Sequence, residues 1–312
     1  MSQTAQNIVR EVKKAVIGKD EMIEKVLLAM VAGGHILLED RPGVGKTTLA
    51  LAFSRAMALE YRRMQFTPDV MPADVIGFSM YQKQTGSFIY QQGAVMCNLF
   101  LADEINRTSS KTQSALLEAM EEGRVTVDGI THNLPKPFTV IATQNPAGSA
   151  GTQLLPESQL DRFLIRLSMG YPSWKEEVSI LKAKQGRDPL DRVAPVADGA
   201  AVMKMHEEAE SVYVADDVYV YMAKLAAATR AMKLVRTGIS PRGTIALSRM
   251  SRAYAWYMGR DFVVPDDVKA IIFDTFEHRL VLDPKARFSD VTAHRVLESV
   301  LKNVPAPSIV KR

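Results

Sequence analysis

His35-Ile36-Leu37-Leu38-Glu39-Asp40-Arg41-Pro42-Gly43-Val44-Gly45-Lys46-Thr47-Thr48 passes from a short apolar strand through a glycine loop into an Ala/Leu-rich helix predicted to run to about Leu59. Strand, glycine loop and helix form the βα unit of a doubly wound sheet, and they give a phosphate-binding loop its proper context. Glycine lets backbone N–H groups turn inward around phosphate, and the helix N-terminus adds a favourable dipole. The loop residues Gly43, Val44, Gly45, Lys46, Thr47 and Thr48 are the candidate nucleotide-binding set. Lys46 would reach the β- and γ-phosphates of ATP, and the Thr47 hydroxyl would ligate Mg²⁺. A Gly/Pro turn that merely caps a helix is the plain alternative; motif and context together favour phosphate. One position departs from the pattern, since Asp40 stands where the first glycine is expected. A carboxylate aimed at phosphate is repulsive, so the side chain of Asp40 is expected to point away.

Further along, Leu99-Phe100-Leu101-Ala102 and Phe138-Thr139-Val140-Ile141-Ala142 look like buried parallel strands of the same sheet. Asp103-Glu104 ends the first of them. An apolar run ending in two acids is often only a strand reaching solvent. Behind a phosphate loop it predicts Asp103 on Mg²⁺ and Glu104 on the attacking water, because ligands sit at the carboxyl ends of parallel strands. Thr143-Gln144-Asn145-Pro146 follows the second strand; Asn145 is either a turn residue or a hydrogen-bond partner for the water or γ-phosphate. Arg162, in Leu160-Asp161-Arg162-Phe163, is either a surface partner of Asp161 or an arginine finger. Arg242, in Ser240-Pro241-Arg242-Gly243, stands at a helix start, where the dipole disfavours a cation and a specific anionic partner is implied.

The remaining elements fall around this centre. Ile8, Val9, Val12 and Val16 predict an opening amphipathic helix stopped by Gly18, and a second helix runs from about Asp20, as a possible cap, to Ala32. Lys111 to Glu122 reads as a helix with Leu116, Leu117 and Met120 on its core face. Hairpins are expected around Gly86 and at Asp128-Gly129. After Lys184-Gln185-Gly186-Arg187-Asp188-Pro189 the pattern turns helical, as in 218–232, 244–258 and 265–277, with few strand signals. The expected division is an α/β domain over 1–186, a helical domain over 187–305 and a loose tail over 306–312.

Composition narrows the function classes. With 312 residues the chain is long enough for two cores, and its net charge of +4 is dispersed, which argues against a nucleic-acid surface. The single cysteine, Cys97, lies in an apolar run and reads as a buried thiol in a reducing compartment; the histidines lack metal-ligand spacing. No uncharged apolar stretch reaches the ~18 residues of a membrane span, and the N-terminus lacks a signal-peptide pattern, so a cytoplasmic protein is expected.

Taken with Ile17-Gly18-Lys19, Gln65-Phe66-Thr67-Pro68-Asp69, Asp103-Glu104-Ile105-Asn106-Arg107 and Lys111 to Glu122, these segments resemble the MoxR-type AAA+ ATPases over nearly the whole chain. The resemblance implies a P-loop α/β domain, a helical lid and a homo-oligomeric, usually hexameric, ring with ATP at its subunit interfaces. It implies that Asn145 is sensor 1, Arg162 a trans-acting arginine finger and Arg242 sensor 2. It puts Ile17 and Gly18 beside adenine, and turns both hairpins toward the substrate or pore. Asp40 and Lys19, where glutamine is common, depart from the family pattern. The family also implies a chaperone-like role on client proteins, sometimes in metal-cofactor insertion, commonly with a separate von Willebrand factor A domain partner. Three other readings stay open: a nucleic-acid motor, a non-hydrolysing nucleotide-gated scaffold and a chelatase motor subunit.

Overall fold

Helices α1 (Gln3–Lys13) and α2 (Asp20–Val31) open the chain, and both bury an apolar face. α1 ends before Gly18, whose φ of 73° makes the turn between them. Asp20 does not cap α2 as expected: it occupies the first helical position and pairs with Lys13 at 2.9 Å. The computed structural model describes residues 2–145, 155–186, 188–289 and 291–308. Of the segments read above, Pro146, Arg187 and the tail residues 309–312 lie outside the described residues.

The sheet that carries the site is built next. β1 (Ile36–Glu39) leads through the phosphate loop into α3 (Lys46–Ala56), and β2 (Tyr61–Gln65) follows. After the short α4 (Pro72–Ile76), β3 (Gly77–Gln82) and β4 (Ser87–Gln92) form the first hairpin. β5 (Leu99–Asp103) and α5 (Ser110–Glu122) come next, with Gly123 ending the helix at φ 62°. β6 (Arg124–Val127) and β7 (Ile130–Asn133) form the second hairpin, and both residues of its turn, Asp128 and Gly129, have positive φ as a tight two-residue turn requires. β8 (Thr139–Gln144), α6 (Glu157–Leu160) and β9 (Ile165–Leu167) complete the domain. The strand order is β2-β5-β8-β1-β9, with every pairing parallel.

Side-chain alternation divides the core between the two faces of this sheet. Ile36, Leu38, Leu99, Leu101 and Ile141 point into one core with α1, α2 and α3; Leu37, Phe100, Ala102, Val140 and Ala142 point into the other with α5. Buried on both faces, the central strands read as continuous apolar runs.

The remainder is helical: α7 (Trp174–Ala183), α8 (Gly199–Glu210), α9 (Asp216–Arg230), a strand β10 (Val235–Thr237), α10 (Pro241–Tyr257), α11 (Pro265–Phe276), a strand β11 (Val281–Leu282) and α12 (Ala293–Asn303). The antiparallel β10–β11 ribbon is an addition to the expected helical pattern. Two arginines, exposed Arg249 and buried Arg279, tie these helices to the sheet domain. Arg249 donates to the carbonyls of Ala32 and Gly33 that end α2, and Arg279 donates to Asp161 Oδ1 at 2.7 Å and to the Leu164 carbonyl at 3.2 Å. Cys97 is buried, and burial pushes its thiol up to about 12. Among the described residues, no helix is long and apolar enough to cross a membrane.

His35, just before β1, gives the core a pH signature. Its Nδ1 accepts the Val140 N–H at 3.0 Å, so Nε2 carries the proton and donates to the Met120 carbonyl at 3.0 Å. Burial pushes its pKa down to about 4. Above about 6.5 the ring is neutral in both folded and unfolded chains; between about 6.5 and 4 only the unfolded chain takes up the proton. Unfolding free energy should therefore fall by up to about 3 kcal/mol as pH drops through that window. Urea titrations across it, repeated on His35→Ala, check this: the variant is less stable throughout but shows a flatter slope.

Candidate functional site

The phosphate loop takes its shape from two glycines in the left-handed region, Gly43 at φ 86° and Gly45 at φ 103°. Gly45 occupies the N-cap of α3 and supplies no side-chain acceptor, so the first N–H groups of the helix face the loop mouth without a cap. That is the donor arrangement an anion fits. Thr47 and Thr48 are half-buried in this first turn. Lys46 is buried and donates to the carbonyls of Asp40 at 2.9 Å and Arg41 at 3.4 Å. Burial lowers its pKa against the opposing pull of Asp40, Asp103 and Glu104.

Asp40 points away from the loop mouth, as its charge requires. Its carboxylate accepts from Ser168 Oγ at 2.8 Å, from the Gly170 N–H at 3.0 Å and from the Met169 N–H. It thereby pins the turn after β9 to the loop after β1, a job glycine could not do. Asp40→Ala leaves buried donors without an acceptor and should lower unfolding free energy by about 3 kcal/mol. A downward shift of the urea midpoint at unchanged slope is the expected reading.

The two acids stand together at the carboxyl end of β5, beside the end of β8. Asp103 closes β5 and accepts from Thr143 Oγ1 of β8 at 2.6 Å and from Arg63 of β2 at 2.7 Å. Glu104 follows in the left-handed region, φ 56° and ψ 47°, an uncommon conformation for a side chain of this size. The Thr143 hydroxyl holds that turn by accepting the Glu104 N–H at 2.8 Å. The Glu104 carboxylate is then enclosed by three donors: Asn145 Nδ2 at 3.1 Å, Gln65 Nε2 at 2.8 Å and Arg107 Nη1 at 2.9 Å. Asn145 Oδ1 is buried with no protein partner, an acceptor left over at the site. Lys46, Asp103, Glu104 and Asn145 thus gather on one edge of the sheet. Thr143, Gln65, Arg63 and Arg107 belong to the same cluster and were not singled out from sequence; only the strand register, Gln65 opposite Asp103, reveals the grouping.

Beside the loop lies a cleft of about 650 Å³ whose lining includes Gly18, Lys19, Glu39, Ser168 and Met169. Ile17 is half-buried next to it. A side chain at Gly18 would be strained by its φ of 73° and would displace the Glu176 carboxylate, whose Oε1 lies 2.0 Å from the Cβ position. Met169, which lies 3.7 Å from the Cβ position of Gly45, links this cleft to the phosphate loop.

Arg162 and Arg242 stand elsewhere. Both pair with Glu121, Arg162 at 3.4 Å and Arg242 more closely, and both line a cavity of about 300 Å³ with Gly33, Gly34 and His35. Those three residues precede β1, and Arg162 precedes β9, which runs parallel to β1 with Ile36 opposite Ile165. The arginines therefore occupy the amino edge of the sheet, about 13 Å of strand away from the phosphate loop. Glu121 is also at the far end of α5, a helix of 13 residues that begins beside the acid pair and spans about 20 Å. No arginine side chain covers that distance.

A five-stranded parallel sheet with a glycine phosphate loop, an acid pair on the next strand but one and a helical lid is the architecture of the AAA+ ATPases. Residues 35–165 match the model of the ATPase family associated with various cellular activities (AAA), and residues 227–300 match the AAA lid domain. The chain is 44% identical to protein YeaC of Bacillus subtilis, over 96% of this chain and 93% of that one. It is 37% identical to Chaperone MoxR1 of Mycobacterium tuberculosis, over 98% and 83% of the two chains. A crystal structure of a candidate ATPase from Cytophaga hutchinsonii superposes with a TM-score of 0.89 at 33% identity, covering 98% of this chain and 95% of that one. The chain belongs to the MoxR-type AAA+ ATPases.

Proposed function

We propose that this protein hydrolyses ATP in a Mg²⁺-dependent reaction at sites shared between adjacent subunits of a hexameric ring, and uses the cycle to remodel or mature client proteins in the cytoplasm. The observation that carries the reading is the separation of Arg162 and Arg242 from their own chain's Lys46 by the depth of the sheet. A site that uses those arginines draws them from a neighbour.

The loop N–H groups from Gly43 to Thr48 and the Lys46 ammonium would hold the phosphates, while Ile17 and Gly18 would border adenine. Thr47 and Asp103 suit a hard cation by their oxygen donors. Bound there, Mg²⁺ would supply charge neutralisation at the β- and γ-phosphates. Glu104 would accept a proton from the attacking water, with Asn145 orienting both. Arg162 and Arg242 of the adjacent subunit would stabilise charge developing on the transferred phosphoryl group. The chaperone-like role is supported by the name of the Mycobacterium relative, and a separate von Willebrand factor A domain partner by the family resemblance.

ATP turnover measured against protein concentration tests the reading. Turnover per subunit should rise steeply as subunits meet, and Lys46→Ala should lose nucleotide binding. Constant turnover per subunit at all concentrations would sink the shared site.

A further inference from the structure

α7 inverts the pattern of a surface helix. At about 100° per residue, Glu176, Ile180 and Ala183 share its half-buried inward face, and no residue of the helix is buried. The opposite face carries Trp174, Val178 and Leu181, exposed by 71%, 41% and 69%. This is an i, i+4, i+7 apolar stripe turned to solvent, whereas such stripes ordinarily face a core. The start of the helix is well defined. Ser173 and Glu176 form a reciprocal capping box, and Glu176 lies against Gly18. A contiguous apolar stripe left open to solvent marks a docking surface.

Its place in the fold identifies the occupant. α7 leaves the carboxyl edge of the sheet directly after β9, and Tyr171 before it lies 5.9 Å from the Arg41 guanidinium of the phosphate loop. On the reading that the site is completed in trans, a second copy of the chain approaches this same edge, leading with Arg162 and Arg242. The surface it brings has an apolar residue in the matching position: Ile245, 61% exposed, one turn after Arg242 on α10 and lining the same cavity as Arg162. Lys175 and Lys182, seven residues apart, flank one side of the α7 stripe and Glu177 the other, while Glu121 of α5 pairs with both arginines on the approaching surface.

We propose that the Trp174–Val178–Leu181 face of α7 is the seat for the Ile245 face of α10 in a second copy of this chain. The contact rests on the shared-site reading and adds to it a mechanical part: apolar packing sets the register in which Arg162 and Arg242 meet the neighbour's phosphate loop. Because the stripe makes no core contact in the isolated chain, charging it leaves the fold intact and acts on assembly alone.

The test is sedimentation velocity and ATP turnover of the full chain, with Mg²⁺ and a non-hydrolysable ATP analogue present in the sedimentation runs. Wild type should assemble. Leu181→Glu should remain monomeric with native circular dichroism and unchanged nucleotide affinity, while turnover falls about 10³-fold, the value of an arginine supplied in trans. Ile245→Lys alone should show the same loss, and combining it with Leu181→Glu in one chain should restore assembly through the new ion pair. A Leu181→Glu protein that assembles and turns over like wild type overturns the α7 seat and leaves the shared site standing. Failure of the double variant to regain assembly overturns the Ile245 contact. A wild-type chain that turns over ATP while monomeric overturns the shared site, and the seat with it.

Discussion

Arg162→Ala should bind ATP with unchanged affinity and lose about 10³–10⁵-fold in turnover, the worth of an arginine finger. The reason is positional. Arg162 sits on the amino edge of the sheet with Glu121, away from its own Lys46, so its removal leaves the nucleotide cradle of the same subunit untouched. A mixing experiment gives the claim its sharpest form. Arg162→Ala and Glu104→Gln should each be inactive alone, but each retains what the other lacks. In a heterologous interface between randomly mixed subunits, about a quarter of the sites pair an intact Glu104 with an intact Arg162. Recovery of turnover on mixing is expected; absence of any recovery, with mixed assembly demonstrated, means the arginine does not act across subunits.

Glu104→Gln should lower turnover by about 10²–10⁴-fold, the contribution of a positioned general base, again with ATP still bound. Glutamine keeps the shape and the hydrogen bonds to Thr143 and Asn145 but cannot take the proton. The surroundings of Glu104 also make a second, opposite expectation. Its carboxylate is held by Gln65 and Arg107 as well as by Asn145, and bound this way it is turned to protein donors, not to water. Gln65→Ala removes one of these holds, so basal turnover should rise by about tenfold or more, the value of one hydrogen bond to a charged group. Steady-state assays of the two variants at a single saturating ATP concentration separate them, one falling and the other rising.

The centre of the site was legible because chemistry and fold share residues there. Gly43 and Gly45 are needed for both the turn and the phosphate, and the apolar runs before Glu39, Asp103 and Gln144 are long enough to read as buried strands. β2 was not legible. Tyr61-Arg62-Arg63-Met64-Gln65 is an edge strand with exposed positions, so it lacks the apolar run of its neighbours, yet it brings Arg63 and Gln65 onto both acids. β9 escaped for its length, only three residues. Asp40 was readable in direction but not in partner. That its side chain avoids phosphate follows from charge; that it holds Ser168 and Gly170, 128 and 130 residues away, follows only from β9 lying beside β1. The Glu121 pairing of Arg162 and Arg242 was hidden for the same reason, since it joins three segments distant in sequence.

α5 touches both ends of this chemistry. At its start, Gln113 donates to the carbonyls of Ile105 and Thr108, the turn that leads out of Glu104; at its finish, Glu121 grips the two arginines. A stiff rod fastened at both ends converts an event at one end into a displacement at the other. On the shared-site reading proposed above, a neighbour's nucleotide would compete for Arg162 and Arg242, change the load on Glu121, and pass that change along the rod to the turn beside the chain's own Glu104. Coupling of this kind is reciprocal by thermodynamic necessity. In the proposed ring it would give the subunits a sense of direction, each one's nucleotide state felt by the next through a single helix.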